Sequence, residues 1–349
     1  MKTSDTAFLG VDIGTSSIAA VLVDGRGRAL ESRTVPNPGA GEPLPDGRHE
    51  QDADAILCAV NGLVEACETL ARARGLEIAE IGWTGQMHGL VAVDRKLRAL
   101  TPFVTWRDVR CAPPRRGCGV MADWRTRKIR GIYRALTIPG YVIARRTGKC
   151  AVDTTFRSSM GPEAELGEFA GWLPDTDDSV MLGDNQAGVY AAMRMRPRAA
   201  VVNIGTSAQL SIVRDVGAGN EGVEERPFPG GRTLLCRASH IGGASLAKLR
   251  KSLGFSWRRL NDEAATHPRI RKCVSEIVDD LVKGIDLKGV RSVVGVGSAL
   301  RLNPCLRTAV EDRLKVRCII PEVLEMAAWG AALYAMDGRI RRRSAADMV

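Results

Sequence analysis

Two segments of the chain share one pattern of hydrophobic and polar positions. In each, an apolar run of four to six residues leads into small polar residues, and a second apolar run follows. The polar segments are Asp-Ile-Gly-Thr-Ser-Ser at 12–17 and Asn-Ile-Gly-Thr-Ser-Ala at 203–208. The pattern predicts two strand–turn–strand hairpins, and turns without bulky side chains can wrap an anion. The repetition predicts one architecture used twice, with a cleft between the copies.

The other hydrophobic patterns alternate between helical and strand periods. Apolar residues at three- and four-residue steps predict a helix that has Asp52 as its N-cap and ends at Gly75. Similar patterns predict helices at 133–147 with a break at Pro139, at 188–194, from 241 onwards, and at 270–285, 306–314 and 326–336. Short apolar runs predict strands at 78–83, 90–93, 180–182, 234–239, 290–294 and 318–320. The alternation predicts an α/β fold, whose sheets are mixed because of the hairpins.

A break in the pattern divides the chain near its middle. Its 349 residues suffice for about two domains, and Arg-Pro-Arg at 196–198 lies just before the second hairpin. We therefore expect domains at 1–197 and 198–340, followed by a basic tail at 341–349 that we expect to be disordered. Hydrophobic residues make up 45% and charged residues 26%, which is typical of globular proteins.

The net charge of +10 raises the possibility of a nucleic-acid partner. The arginines are spread along the chain, however, and aromatic residues make up only 5% of it. We therefore expect no nucleic-acid partner, and a basic surface that attracts a small polyanionic substrate. No apolar run approaches the ~20 residues of a membrane span, and the first residues lack a signal-peptide pattern. The expectation is a cytoplasmic protein without a membrane partner, whose oligomeric state the sequence leaves open.

The cysteines predict no metal site. There are nine, without a C-x-x-C pair, and the closest two are Cys111 and Cys118. Zinc sites usually have more closely spaced ligands, and the four histidines do not supply them. We expect reduced, structural thiols.

Six motifs carry the polar chemistry of the chain. They are Val-Asp-Ile-Gly-Thr-Ser-Ser at 11–17, Thr-Gly-Gln-Met-His-Gly at 84–89, Thr-Trp-Arg-Asp-Val-Arg-Cys at 105–111, Gly-Asp-Asn-Gln-Ala at 183–187, Asn-Ile-Gly-Thr-Ser-Ala-Gln-Leu at 203–210 and Gly-Val-Gly-Ser-Ala-Leu at 295–300. In this order the motifs resemble those of the FGGY carbohydrate kinases. The resemblance implies two FGGY domains in an actin-like, ribonuclease-H-like ATPase fold with a central cleft.

The two turns are the candidate phosphate sites. The resemblance implies that the first turn approaches the phosphates of ATP and that Asp12 holds Mg²⁺, for which a carboxylate is a suitable ligand. Phosphate contacts are expected from backbone N–H groups and hydroxyls of five residues: Gly14, Thr15, Ser16, Gly205 and Thr206. The alternative is an ordinary hairpin turn capped by Asp12, but the second copy of the turn favours phosphate binding.

Asp184 is the candidate catalytic base, a role that the resemblance also implies. Its carboxylate would accept the proton of a sugar hydroxyl as that hydroxyl attacks the γ-phosphate. The alternative is an N-cap for the helix that begins near Gln186. The position of Asp184 in the series of motifs favours the base.

The resemblance places the sugar on the first domain. Six residues are candidates: Gln86, Met87, His88, Trp106, Asp108 and Asn185. Amide and imidazole groups both donate and accept hydrogen bonds, which suits polyols. A structural role is the alternative for His88, core packing is equally weighted for Trp106, and packing is favoured for Met87.

The resemblance places the nucleoside on the second domain. The candidates are Gly243, Gly295, Gly297, Ser298 and Asn303. Glycines allow a backbone to approach a flat ligand closely, although a Gly-x-Gly pair alone often marks only a tight turn.

We therefore predict an ATP- and Mg²⁺-dependent ketose kinase, with sedoheptulose as the favoured substrate and xylulose as the alternative. Domain closure would bring the sugar and ATP together and exclude water. A non-catalytic sugar- or nucleotide-binding protein is the rival hypothesis. It is favoured by segments that are short for the family, at 111–138, 174–183 and 245–271, and by the absence of the family's Gly-Glu-Arg motif; Asp184 argues against it.

Overall fold

The structure is a computed structural model that describes residues 6–217, 220 and 222–346, with side chains up to 342. The chain divides into two compact units. Unit 1 comprises Met1–Ala191 with Glu325–Val349, and unit 2 comprises Ala192–Leu324.

Unit 1 contains ten strands, six helices that follow one another, and a returning C-terminal helix among its described residues. The strands are β1 Thr6–Ile13, β2 Ser17–Asp24, β3 Ala29–Pro36, β4 Glu50–Gln51, β5 Glu77–Gly85, β6 Val91–Val93, β7 Phe103–Val104, β8 Arg134–Leu136, β9 Ala151–Val152 and β10 Asp175–Thr176. The helices are α1 Ala53–Ala73, α2 Gly117–Thr126, α3 Ile138–Thr147, α4 Thr154–Ser159, α5 Glu163–Leu166, α6 Asp184–Met195 and α12 Met326–Ala346. Short 3-10 helices span Val109–Cys111 and Gly167–Trp172.

Unit 2 contains a single larger sheet and five helices within its described residues. Its strands are β11 Ala199–Ile204, β12 Ala208–Arg214, β13 Glu224–Phe228, β14 Arg232–Ser239, β15 Ser292–Val296 and β16 Cys318–Ile319. Its helices are α7 Gly243–Ser252, α8 Trp257–Asp262, α9 Pro268–Val282, α10 Ser298–Leu302 and α11 Pro304–Leu314.

The two units are built on sheets with the same central order. In unit 1 the order is β3-β2-β1-β5, and in unit 2 the strands β14-β12-β11-β15 repeat it. In both, three antiparallel strands precede one that is parallel to the first strand of the hairpin. Unit 2 adds β13 and β16 at the two edges. The predicted hairpins and the predicted mixed α/β sheets are confirmed.

Two glycines allow helix α12 to lie directly on the sheet of unit 1. Gly10 of β1 and Gly82 of β5 are paired in register. A Cβ atom on either would overlap a carbonyl oxygen of α12, that of Ala328 or that of Ala331. A larger side chain at either position would push the helix away from the sheet. The predicted helix at 326–336 therefore exists, but it packs on unit 1 and not on the domain predicted at 198–340.

The prediction of a disordered tail at 341–349 is wrong for residues 341–346, because α12 continues through Ala346. The charges of this last part are accommodated on unit 1. Arg342 forms an ion pair of 2.5 Å with Glu80, and Arg339 donates to the Ala79 carbonyl oxygen at 2.9 Å. Residues 347–349 lie outside the described residues.

Most of the other predicted elements are present, with three differences. Helix α1 is capped by Asp52, which accepts from the backbone N–H groups of residues 54 and 55, as predicted. The helix predicted at 133–147 begins only at Ile138, because Pro139 is tolerated in the first turn of a helix and not in its interior. At 180–182 only Met181 pairs, in an isolated bridge with Trp83. The third difference is β13, Glu224–Phe228, which was not among the predicted strands.

No helix within the described ranges has the length and apolar character needed to cross a bilayer.

Candidate active site

The first turn, residues 14–17 between β1 and β2, is held by side chains from elsewhere in unit 1. The Asn37 side chain donates to the Gly14 carbonyl oxygen at 2.8 Å, and the Gln51 side chain donates to that of Thr15 at 3.0 Å. The backbone N–H of Asn37 donates to the Ser16 carbonyl oxygen at 3.0 Å. Three consecutive carbonyl groups of the turn are thus bound by protein donors, while Thr15 is partly exposed and Ser16 is exposed.

Asp12, at the end of β1, lies close to two other carboxylates. Burial, followed by the charges of Asp184 and Glu325, raises the pKa of Asp12 to about 8. The residue is partly exposed as a whole, but its Oδ1 atom is buried and has no hydrogen-bond partner. Glu325 comes directly before α12 and accepts from the Thr34 hydroxyl at 3.1 Å.

This arrangement fits a hydrated divalent cation. A buried carboxylate oxygen without a donor, beside two further carboxylates, is a site of negative charge that a cation would neutralise. Within 6–217, 220 and 222–346, no three His, Cys, Asp or Glu side chains are arranged to coordinate a metal directly. Mg²⁺ would suit such an arrangement, since it usually keeps several of its waters and takes one or two carboxylates.

Asp184 is the first residue of α6, and its Oδ1 atom accepts from the backbone N–H of Asn185 at 2.7 Å. The preceding Gly183 donates its N–H to the Thr155 hydroxyl at 2.7 Å. A Cβ atom on Gly183 would lie 2.7 Å from the sulfur of Met87, so the turn before the helix packs against the predicted sugar loop. Asp184 and Asn185 are both partly exposed.

The predicted sugar residues fall into two groups, and Gln86 and Trp106 form the group that faces the first turn. Gln86 is buried and accepts from the Thr15 hydroxyl at 3.1 Å. Trp106 is 52% exposed and donates its indole N–H to the same hydroxyl at 2.9 Å. Since half of its surface is open, Trp106 is not a core residue, and its ring is available to a ligand.

The other group makes its contacts with protein groups. Met87 is buried in the core. For His88, Nδ1 lies 3.0 Å from the Ser159 carbonyl oxygen and Nε2 lies 2.6 Å from Arg116 Nη1. Arg116 Nη1 also lies 2.8 Å from Nδ1. Arg116 thus belongs to the surroundings of the sugar loop.

Asp108 has the contacts of a structural carboxylate. It is 2% exposed, accepts from the His49 backbone N–H at 2.7 Å, and forms an ion pair of 2.7 Å with Arg110. Burial alone would raise the pKa of Asp108, but hydrogen bonds from Arg110 and His49 hold it below its ordinary value. Of the predicted sugar ligands, Asp108 has the least support from the structure.

In unit 2 the second turn, residues 205–207, is held mainly by backbone groups. The N–H of Gly243 donates to the Gly205 carbonyl oxygen at 2.9 Å, and that of Ala244 donates to Thr206 at 3.0 Å. A Cβ atom on Gly243 would overlap the Gly205 carbonyl oxygen, whereas one on Gly205 would meet nothing within 4 Å. The N-terminus of α7 therefore lies against the turn, and the other side of Gly205 is open.

Gly297, before α10, also approaches this turn. It has a φ of 86°, and a Cβ atom there would lie 2.5 Å from the Ile204 carbonyl oxygen. Ser298 is exposed beside it. Only glycine combines this backbone conformation with so close an approach.

The remaining two predicted nucleoside residues are buried. A Cβ atom on Gly295 would lie 2.8 Å from the side chains of Leu300, Cys318 and Ile320, so this glycine serves packing. Asn303 donates to the Ala299 carbonyl oxygen at 2.7 Å and accepts from Asn261 at 3.2 Å. Next to this pair, a groove of about 730 Å³ runs between α9 and α11.

Comparison with known proteins finds a family match in the first part of the chain. Residues 7–145 match the N-terminal domain of the FGGY family of carbohydrate kinases. The resemblance inferred from the six motifs is thereby confirmed.

The relatives of this chain include kinases for two different sugars. It is 31% identical to xylulose kinase of Klebsiella pneumoniae over 142 residues, which are 38% of this chain and 26% of that protein. It is 29% identical to human sedoheptulokinase over 286 residues, 58% of each chain. The chain thus spans between about a quarter and three fifths of these relatives.

Solved structures confirm the fold of the FGGY sugar kinases. The structure of a xylulose kinase from Lactobacillus acidophilus superposes with a TM-score of 0.81, at 16% identity, over 96% of this chain and 90% of that one. A xylulose kinase from Brucella ovis gives a TM-score of 0.80 at 18% identity, over the same shares of the two chains.

Four residues of the site were not among the predicted ones: Asn37, Gln51, Arg116 and Glu325. Gln51 lies in His-Glu-Gln-Asp at 49–52, which the periodicity marks only as the entry to α1. Glu325 comes far along the chain, before a helix that the sequence does not place on unit 1.

Proposed function

We propose that the protein is an ATP-dependent carbohydrate kinase that transfers the γ-phosphate of ATP to a hydroxyl group of a ketose. The observation that carries the proposal is the closeness of Asp184 to Asp12, which contributes to the raised pKa of Asp12. A candidate base thus lies beside a candidate cation ligand on one unit, as phosphoryl transfer requires. The FGGY-family N-terminal domain and the kinases among the relatives support the same function.

In this mechanism the residues of unit 1 handle the sugar and its proton. The Trp106 ring packs against the carbon face of the sugar, and Asn185 hydrogen-bonds a hydroxyl next to the reacting one. Asp184 accepts the proton of the attacking hydroxyl, a contribution of roughly 10²–10⁴ in rate. Asp12 would hold Mg²⁺, which when bound neutralises phosphate charge.

Each of the two turns offers groups that can bind phosphate. Small residues at 14–16 offer backbone N–H groups and hydroxyls from unit 1, and Gly205 and Thr206 offer the same groups from unit 2. The close approach of Gly243 and Gly297 to the second turn keeps side chains away from that backbone. We propose that the nucleoside binds beside these glycines, next to Ser298. We also propose that the enzyme is cytoplasmic.

Sedoheptulose is the proposed substrate and xylulose is the second candidate. Sedoheptulokinase aligns over the larger share of this chain, 58%, whereas a xylulose kinase aligns at the higher identity, 31%. Sedoheptulose is favoured because its kinase aligns beyond the N-terminal domain.

A coupled assay of ADP release tests the proposal. The protein is incubated with Mg·ATP and, in turn, sedoheptulose, xylulose, ribulose and glycerol, and Asp184→Asn serves as the inactive control. We expect ADP release that depends on one ketose and is lost in Asp184→Asn. Binding of ATP without turnover on any sugar would favour a non-catalytic binding protein.

A further inference from the structure

Three residues of unit 1 form a closed ring of hydrogen bonds beneath the first turn. The Gln51 amide donates to the Thr15 carbonyl oxygen at 3.0 Å, and the Gln86 amide donates to Gln51 Oε1 at 2.8 Å. The Thr15 hydroxyl closes the ring by donating to Gln86 Oε1 at 3.1 Å. In the ring, each of the two glutamines donates through its amide nitrogen and accepts through its amide oxygen, which defines the orientation of both amides.

The ring is buried and anchored at several points. Gln51 is 2% exposed and Gln86 is 3% exposed. Gln51 pairs with Phe103 in the two-stranded β4–β7 sheet, and the backbone N–H of Gln86 donates to the Ile13 carbonyl oxygen at 3.0 Å. A buried amide that is left without a hydrogen-bond partner costs free energy, because the amide has lost its contact with water. The ring therefore favours the one arrangement in which its three members are all bonded.

The ring has one contact on the ligand side. Trp106 follows β7 and donates its indole N–H to the Thr15 hydroxyl at 2.9 Å, with half of its surface exposed. The Thr15 hydroxyl therefore accepts a hydrogen bond from Trp106, a candidate sugar-binding residue, and also donates one to Gln86 in the ring. A movement of Trp106 changes the hydrogen bonding of Thr15, which lies in the phosphate turn.

We propose that Gln51 is a positioning residue that couples occupancy of the sugar site to the affinity of the first turn for nucleotide phosphate. This inference rests on the proposed function. A sugar seated on Trp106 fixes the indole, the indole fixes the Thr15 hydroxyl, and the ring through Gln86 and Gln51 fixes the Thr15 carbonyl group. The N–H groups of the turn are then held in the geometry that binds phosphate.

Such coupling is reciprocal. If the sugar raises the affinity for nucleotide by some factor, the nucleotide must raise the affinity for the sugar by the same factor. We expect a factor of roughly 5–150, the usual range for coupled sites. A ring with a purely structural role would instead lower stability, or weaken both ligands, without changing this factor.

The experiment measures the factor by calorimetry. Affinity for Mg²⁺ with a non-hydrolysable ATP analogue is determined with and without saturating sedoheptulose or xylulose, and the reverse titration checks reciprocity. The variants are Gln51→Met, which keeps the length of the side chain, and Gln51→Glu, which keeps an acceptor and removes the donor. Thermal melting confirms that each variant is folded.

Asn37→Ala is the matched control. Asn37 also donates to a carbonyl oxygen of the turn, that of Gly14, but it lies outside the ring. We expect the coupling factor to fall to near 1 in both Gln51 variants and to be kept in Asn37→Ala, even where the affinity for the analogue falls.

A coupling factor unchanged in Gln51→Met, or an equal loss in Asn37→Ala, would overturn the inference. A wild-type protein that binds both ligands without coupling would overturn it even if sugar phosphorylation is measurable. Intact coupling without turnover would overturn the proposed function alone. Failure of the wild type to bind any sugar would overturn both.

Discussion

The two turns share one fold position but are stabilised in different ways. The turn of unit 1 has its carbonyl groups bound by side chains, those of Asn37 and Gln51, and its Thr15 hydroxyl lies between Gln86 and Trp106. The turn of unit 2 is bound by backbone N–H groups of α7, and Gly243 and Gly297 approach it too closely to carry side chains. The residue before the turn differs as well, since Asp12 corresponds to Asn203.

This difference indicates that the two turns have different roles although they belong to the same repeated architecture. Side chains that reach a turn from several segments can transmit the state of a neighbouring site, as we propose for unit 1. A turn surrounded by backbone and glycine is rigid and lets a ligand approach closely, which suits the nucleotide role proposed for unit 2. Because a carboxylate stands at 12 and an amide at 203, we propose that the cation binds to unit 1.

The largest expected effect comes from Asp184→Asn, which removes the proposed base from unit 1. Turnover should fall roughly 10²–10⁴-fold, because an amide cannot accept the proton. Sugar binding, which calorimetry measures, should still be detectable. Asp262→Asn in unit 2 is the control, since Asp262 is exposed and forms only a 3.9 Å ion pair with Arg258. Equal turnover in the two variants would contradict the assignment.

Next in size is Gly297→Ala, which tests the glycine-lined turn of unit 2. The φ of 86° and the overlap with Asn203 Oδ1 would strain an alanine at this position. We expect the free energy of unfolding, measured with urea, to fall by about 1–3 kcal/mol. We also expect nucleotide binding to be lost. Gly205→Ala, whose Cβ atom would meet open space, should keep the stability and weaken nucleotide binding only. Normal nucleotide binding by Gly297→Ala would refute the role of close approach.

The raised pKa of Asp12 predicts that the free energy of unfolding depends on pH. Its folded pKa of about 8 is above its ordinary value of 3.8, so the folded state retains a proton that the unfolded state releases between these values. This contribution to stability is complete below about pH 4 and is lost as the pH rises through 8. Asp12→Asn should therefore melt at a higher temperature than the wild type at pH 8.5 in EDTA, with little difference at pH 4.

Mg²⁺ provides the complementary measurement for Asp12. At pH 8.5 the cation should raise the melting temperature of the wild type and have little effect on Asp12→Asn. Asn203→Asp in unit 2, where the residue is exposed, should show no such pH dependence. Parallel pH profiles for the wild type and Asp12→Asn would rule out the carboxylate cluster.

The smallest effect is expected from Asn37→Ala, which removes one side-chain support from the turn of unit 1. The Gly14 carbonyl group loses its donor, at a cost of about 1 kcal/mol. Hydrogen exchange should become faster at residues 14–17 and stay unchanged at 204–208. Faster exchange in both turns would mean that the two are not supported independently.

Local signals explain what could be predicted from the sequence. Small polar residues between two apolar runs define both hairpins, and Asp52 before a periodic segment defines the start of α1. The partner of a helix is a non-local property, so α12 was assigned to the wrong unit. The closest signal was the pair Gly10 and Gly82, whose missing side chains make room for it.

The candidate site follows the same rule. Asp184 and Asp12 were singled out because they lie in motifs next to their turns, and their roles stay predictions. Asp108 could not be judged, because a carboxylate in a polar motif looks the same whether it faces a ligand or Arg110. Gln51 was missed because its role depends on Gln86 and Thr15, which are remote in sequence and meet only in the folded unit.

The central claim, phosphoryl transfer from ATP to a ketose, is tested most directly by detection of the product. The protein is incubated with Mg·ATP and an equimolar mixture of sedoheptulose and xylulose, and sugar phosphates are identified by mass spectrometry. The account predicts a ketose phosphate, with sedoheptulose phosphorylated in preference to xylulose, and none with Asp184→Asn. Binding of ATP by the wild type without formation of either sugar phosphate would contradict it.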